Sequence, residues 1–200
     1  MDKCFFVDDL PQDFNTDFRA WIRYEILANA AKTDEERRKV QQYAETVLAG
    51  GNPIGEERLQ AFIRFFRCGE TQIETDNKLN QAFGNSARGY DFAVDGPLIY
   101  AAFWQAYGID LNSIELHWWE FMALFRGLPE TCRICQIMEY RTADTSKMPK
   151  ETKEQYDKYR RAYALPETSG GERRYASFAD RKAAAIARHN ALDHKPRNGQ

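Results

Sequence analysis

The chain has 200 residues, 43% of them hydrophobic and 29% charged, with a net charge of -2 at pH 7. That length and balance suit one buried core rather than a disordered or fibrous chain, and the small net charge removes any global electrostatic drive toward nucleic acid or a membrane surface. The longest apolar run, Leu98 to Trp104, is far too short for a membrane span, and the start meets Asp8 and Asp9 too early for a signal peptide.

After a short extended start, Thr16-Asp17-Phe18-Arg19 offers a cap with an acid in the first turn, and Phe18, Trp21, Ile22 and Ile26 follow at helical spacing. Thr33-Asp34-Glu35-Glu36 is a capping box ahead of Val40, Tyr43, Ala44 and Val47, and Gly50-Gly51-Asn52-Pro53 ends that second helix. Glu56 and Glu57 open a third helix with Leu59, Phe62, Ile63 and Phe66 on one side, closed at Gly69.

Thr71 to Gly89 is polar, weakly patterned, and reads as a link to a central layer. Asp95-Gly96-Pro97 predicts a helix start, because aspartate caps and a first-turn proline loses no needed donor; Gly108 ends that helix. Asn112 or Ser113 is expected to open the next helix, with Leu111, Ile114, Trp118, Phe121, Phe125 and Leu128 on one stripe, and Glu130 to Tyr140 reads as another. Past Thr142 the chain turns polar, with a solvated helix over 147–163, a linker at 165–171 and an alanine-rich helix from Ser177 to about Asn190. The expected fold is mainly α: a compact domain of about six helices with a short extended N-terminus and a peripheral C-terminal helix. Residues 1–142 form the helical core, 143–171 a polar helix and linker, and 172–200 a basic tail helix.

The aromatic central segment draws the most attention. Leu98, Ile99, Ala102 and Ala106 share one face of their helix, while Tyr100, Trp104 and Tyr107 sit on another; Trp119 projects away from the stripe of the following helix. A helix apolar on two faces is either buried between layers or shares one face with a partner, and aromatic anchors suit the second use because they bury much area at little rotamer cost. Tyr100, Trp104, Tyr107 and Trp119 are therefore the candidate partner-binding residues.

Signals for chemistry are weak. Gly84 to Gly89 lacks the spacing of a nucleophile elbow and the lysine of a phosphate loop. Asp91 to Asp95 starts like a calcium loop, but Ala93 and Ala102 stand where ligands are needed. Cys132-Arg133-Ile134-Cys135 has no second ligand pair, and the four cysteines read as small apolar residues of a reducing cytoplasm. His117 among tryptophans reads as a hydrogen-bonded core or interface residue, and the other histidines lie in the tail. No catalytic residue, metal or cofactor is expected. The basic tail, with Arg173, Arg174, Arg181, Lys182, Arg188, Lys195 and Arg197, leaves a nucleic-acid-binding accessory protein as the alternative.

Tyr90-Asp91-Phe92-Ala93-Val94-Asp95, Tyr107-Gly108-Ile109-Asp110-Leu111, Leu116-His117-Trp118-Trp119 and Met138-Glu139-Tyr140-Arg141 together resemble the gene-product-fifteen family of long-tailed phages and prophages. Thr16 to Arg19 and Phe65-Phe66-Arg67-Cys68-Gly69 are similar to the family's N-terminal half, so the resemblance covers most of residues 16–165. It implies a non-enzymatic tail assembly chaperone in the host bacterial cytoplasm, with the tape measure protein as partner, the tail tube protein as a second, and self-association as a further use of the same face. The extended N-terminal part is short for the family, and the tail after Gly171 lies beyond the matching stretch.

Overall fold

The computed structural model describes residues 14–69 and 89–166. The extended start, the link and loop before Gly89, the linker from Glu167 and the tail helix lie outside the described residues. Within them the protein is mainly helical, with seven α-helices: α1 Phe18–Ala30, α2 Asp34–Tyr43, α3 Glu56–Phe66, α4 Phe92–Tyr107, α5 Trp118–Arg126, α6 Arg133–Thr142 and α7 Lys150–Ala162. None of these is long and apolar enough to cross a membrane.

Local signals set the first three helices. Thr33 and Glu36 form the capping box as expected, the Thr33 hydroxyl accepting from the Glu36 N–H at 3.2 Å and the Glu36 carboxylate accepting from the Thr33 N–H at 2.8 Å. At α1 the acid, Asp17, is itself the cap, accepting from the Arg19 N–H. The buried side of α1 carries Phe18, Trp21, Tyr24 and Glu25, while Ile22 and Ile26 are half-buried. After α2 the chain widens into a π-helical turn, Ala44–Leu48. The wider turn advances the inward position by one residue, so Leu48 is fully buried where Val47 was expected. Phe65 joins Leu59 and Phe62 in the core from α3, and Ile63 and Phe66 are half-buried.

Two corrections concern the central layer. α4 starts four residues before the expected point, because Asp91 is the cap and accepts from the N–H groups of Ala93 and Val94. Asp95 turns inward and receives the Asp91 N–H at 2.9 Å, and Pro97 lies inside the helix. α5 starts five or six residues after the expected Asn112 or Ser113, with His117 as cap: Nδ1 accepts from the Trp119 N–H, and Glu120 accepts from the His117 N–H. Residues 111–117 form turns and extended chain, held by Arg19, whose Nη2 donates to the carbonyls of Leu111 and Ile114 at 2.9 and 2.6 Å.

The openings of α1 and α5 are joined to each other. The Phe18 N–H donates to the Leu116 carbonyl and the Trp118 N–H to the Thr16 carbonyl at 2.7 Å, an antiparallel bridge between the two caps. Behind it, ring stacks run from Phe66 through Trp118 and Phe121 to Phe103, with Trp21 and Phe18 packed alongside.

A buried ion pair ties the C-terminal layer to α4. Arg141 on α6 donates from Nη1 and Nη2 to the two Asp95 oxygens at 2.7 and 3.0 Å, from Nη1 to the Gly89 carbonyl and from Nε to the Tyr163 carbonyl. The polar helix expected over 147–163 is α7; it has no buried residue and docks on α6 by rings and arginines. Tyr140 stacks on Tyr159 with centroids 4.6 Å apart, and Arg160 donates to the Ala143 carbonyl at 2.6 Å.

Removing one partner of a buried ion pair strands the other charge, which costs about 3–5 kcal/mol. Arg141→Ala is therefore expected to lower urea stability by about that amount, and the apolar double replacement Asp95→Leu with Arg141→Met to lose less than the single change. A second test is alkaline. Tyr156 donates to Glu139 Oε1 at 2.6 Å, and this bond first, then burial, pushes its pKa up to about 12 from 10.0. The folded value is raised, so the contact contributes fully below pH 10.0 and is lost as pH rises through about 12. Phenol absorbance of the parent should therefore show a component titrating near about 12 that Tyr156→Phe removes.

Candidate partner-binding face

The sequence of α4, FAVDGPLIYAAFWQAY, carries a single charge, and that charge is Asp95, buried under Arg141. Nothing charged therefore remains on the outer side of this helix. Phe92, Ile99, Ala102 and Phe103 face the core, while Ala93, Val94, Pro97, Ala101, Trp104 and Gln105 are exposed. Pro97, inside the helix rather than in its first turn, is exposed on this outer side. Val94 and Trp104 are 46% and 55% exposed, the two most exposed large apolar side chains among the described residues.

The four candidate residues separate. Tyr100 is half-buried and stacks on Trp104, with centroids 6.4 Å apart and planes 23° from parallel, so these two form one aromatic patch. Loss of hydration, then the nearby Asp110 carboxylate, hold the Tyr100 hydroxyl above its ordinary pKa. The Asn112 backbone N–H in turn holds the Asp110 carboxyl below its usual value. Tyr107, also half-buried, uses its hydroxyl to donate to the Leu124 carbonyl at 2.9 Å, which fixes the end of α4 against α5.

Trp119 is the correction. It is 7% exposed and lies between α5 and α3, not on the face with Trp104. Its indole N–H donates to the Phe65 carbonyl at 2.8 Å, and the neighbouring Trp118 indole donates to the Phe66 carbonyl at 2.8 Å. The last carbonyls of a helix have no partner within it, so the two adjacent indoles close the end of α3. This is a structural use of the paired tryptophans. The small exposed residues Ala93, Pro97 and Ala101 were not among the candidates; the signal that could have found Pro97 and Ala101 is the lack of any charge between Gly96 and Ile109.

Cys132 is buried at the start of α6, and burial first pushes the Cys135 thiol above its ordinary pKa, which makes it a poor thiolate. Among the described residues no three of His, Cys, Asp and Glu stand together as a metal-binding group would need. A second, shallow groove lies along α1, lined by Arg19, Ile22, Arg23, Ile26 and Leu27.

The described residues thus make a helical domain with an uncharged outer helix and two adjacent tryptophans at the opening of α5. The model of the Bacteriophage Gp15 protein family matches residues 7–165, and the chain belongs to that family. No curated protein and no solved structure matches it.

The indole closure of α3 is open to test. Gly69 has φ +84°, and a Cβ there would stand 3.3 Å from the Trp119 ring. Gly69→Ala combines backbone strain of about 1–3 kcal/mol with pressure on that ring. Lower thermal stability together with a changed near-ultraviolet tryptophan signal is expected; an unchanged signal would mean that the ring is not held there.

Proposed function

We propose that this chain is a tail assembly chaperone that binds the tape measure protein in the host cytoplasm, assists assembly of the tail tube around it, and catalyses no reaction. Membership of the phage family supports the setting. The observation that carries the reading is the outer side of α4: an apolar, charge-free helical stripe centred on the exposed Trp104, with Tyr100 stacked beside it. Such a surface suits a long helical client, whose own apolar stripe would otherwise meet water.

Small residues at Ala93, Pro97 and Ala101 let a client helix approach closely, and Trp104 supplies the large anchor. Self-association through this face is a further use in the same reading. The tail tube protein is a further partner in this reading.

The experiment is capture of purified tape measure fragments by the immobilised chain. Trp104 is exposed, so Trp104→Ala is expected to keep its stability within about 0.5 kcal/mol. Its affinity should fall by about tenfold or more, as for an anchor residue. A folded Trp104→Ala chain that captures the fragments as well as the parent would overturn the reading.

A further inference from the structure

The uncharged stretch along α4 ends at a carboxylate. From Gly96 to Ile109 the chain has no charged residue, and the first one after it is Asp110, just past the Gly108 cap of α4. Hydrogen bonds fix its place. The Asn112 N–H donates to Asp110 Oδ1 at 2.9 Å, and the Asp110 carbonyl accepts from the Ser113 and Ile114 N–H groups at 3.1 and 3.0 Å. The first of these bonds holds the carboxyl below its usual pKa, so it is an anion at neutral pH. The Tyr100 hydroxyl lies beside that carboxylate, and the Tyr100 ring stacks on Trp104. Two rings and one carboxylate thus form a continuous strip from the middle of α4 to just beyond its end.

Among the described residues no basic side chain pairs with Asp110. Arg19, which reaches the same loop, directs Nη2 to the Leu111 and Ile114 carbonyls and has Nη1 at 3.5 Å from Asp17. Trp104 is 55% exposed, so its ring leaves a face to be covered. A cation is drawn to the faces of tryptophan and tyrosine by the ring quadrupole, and a carboxylate at the edge of the rings adds the opposite charge. A guanidinium suits this arrangement better than an ammonium. It is planar, so it can lie flat on a ring and still donate from its edge to a carboxylate.

We propose that Trp104, Tyr100 and Asp110 form a subsite for an arginine side chain of the helical protein that docks on α4, the guanidinium lying on the aromatic pair and donating to the Asp110 carboxylate. This subsite rests on the reading of α4 as the client-binding face and adds what the client carries: an arginine at the edge of its apolar stripe. Ala93, Pro97 and Ala101 set how closely the two helices approach. The subsite sets their register and direction, because the single anion stands at one end of an otherwise uncharged face.

The test uses the full chain, labelled with nitrogen-15, and two synthetic amphipathic peptides of alanine, leucine and glutamine. They differ at one central position, which is arginine in one and its uncharged isostere citrulline in the other. The Trp21, Trp118 and Trp119 indole N–H groups are bonded to carbonyls, so the Trp104 indole gives a separate, exposed signal, identified as the one that Trp104→Phe removes. The arginine peptide is expected to shift that signal and to bind about fivefold more tightly than the citrulline peptide, with a preference that shrinks as salt is added. Asp110→Asn keeps the oxygen that the Asn112 N–H needs, and Trp104→Leu keeps apolar bulk without the ring. Each should bring the two peptides to within about twofold of one another, while the three core indole signals report that the fold is intact. Equal binding of both peptides by the parent would overturn the proposal. So would binding of neither, or a preference for arginine that survives Asp110→Asn. No tape measure fragment enters this measurement, so capture of those fragments can succeed where the subsite fails, and fail where it stands.

Discussion

The pairing of Asp95 with Arg141 is the constraint on which the rest of the C-terminal half depends. Both groups are nearly inaccessible, so each needs the other, and two further guanidinium donors go to carbonyls from different parts of the chain. Four segments meet there: the strand of chain before α4, α4 itself, α6 and the end of α7. Interdigitated apolar contacts resist sliding, yet they are not directional and set helix register less sharply than a directed bond. A forked guanidinium on a carboxylate does fix it. The same contact explains the chemistry of the outer surface, because the one charge that α4 possesses is drawn to its inner side. The buried pair and the uncharged face are two results of one side chain's orientation.

What could be read from the sequence was local. The Thr33 capping box depends on residues three apart, and α1 and α3 follow from caps and apolar spacing, so all three helices stand where expected. The failures are tertiary. Asp95 reads as the cap because a proline follows it closely; the decisive fact is an arginine 46 positions on, which draws Asp95 inward and which no local pattern reveals. Leu111 and Ile114 extend the α5 stripe by coincidence of spacing, yet Arg19 draws the carbonyls of that stretch out of any helix.

The candidate residues show the same division. Trp104 lies on a helix whose other side is the core, so periodicity alone places it outside. Trp119 also lies away from its helix's inner stripe, but there the end of α3 arrives to cover it, and its indole joins the Cys68 N–H on the Phe65 carbonyl, a partner 54 positions away that no local pattern marks. Periodicity gives direction from an axis. It does not say what stands in that direction. The α7 helix makes the complementary point, since a segment with no buried residue is nonetheless docked by stacked tyrosines and arginine-to-carbonyl bonds.

The bridge between the Asp17 and His117 caps has a consequence for how the molecule is made. Its two backbone hydrogen bonds join positions about a hundred residues apart, and contacts of such separation form late because the intervening chain must first be ordered. During synthesis, α1 leaves the ribosome long before Leu116 and Trp118 exist to complete its first turn. Its aromatic side, with Phe18 and Trp21, then has only the neighbouring N-terminal helices to pack against. The native layer closes when the paired tryptophans arrive, so the second half of the chain completes the first.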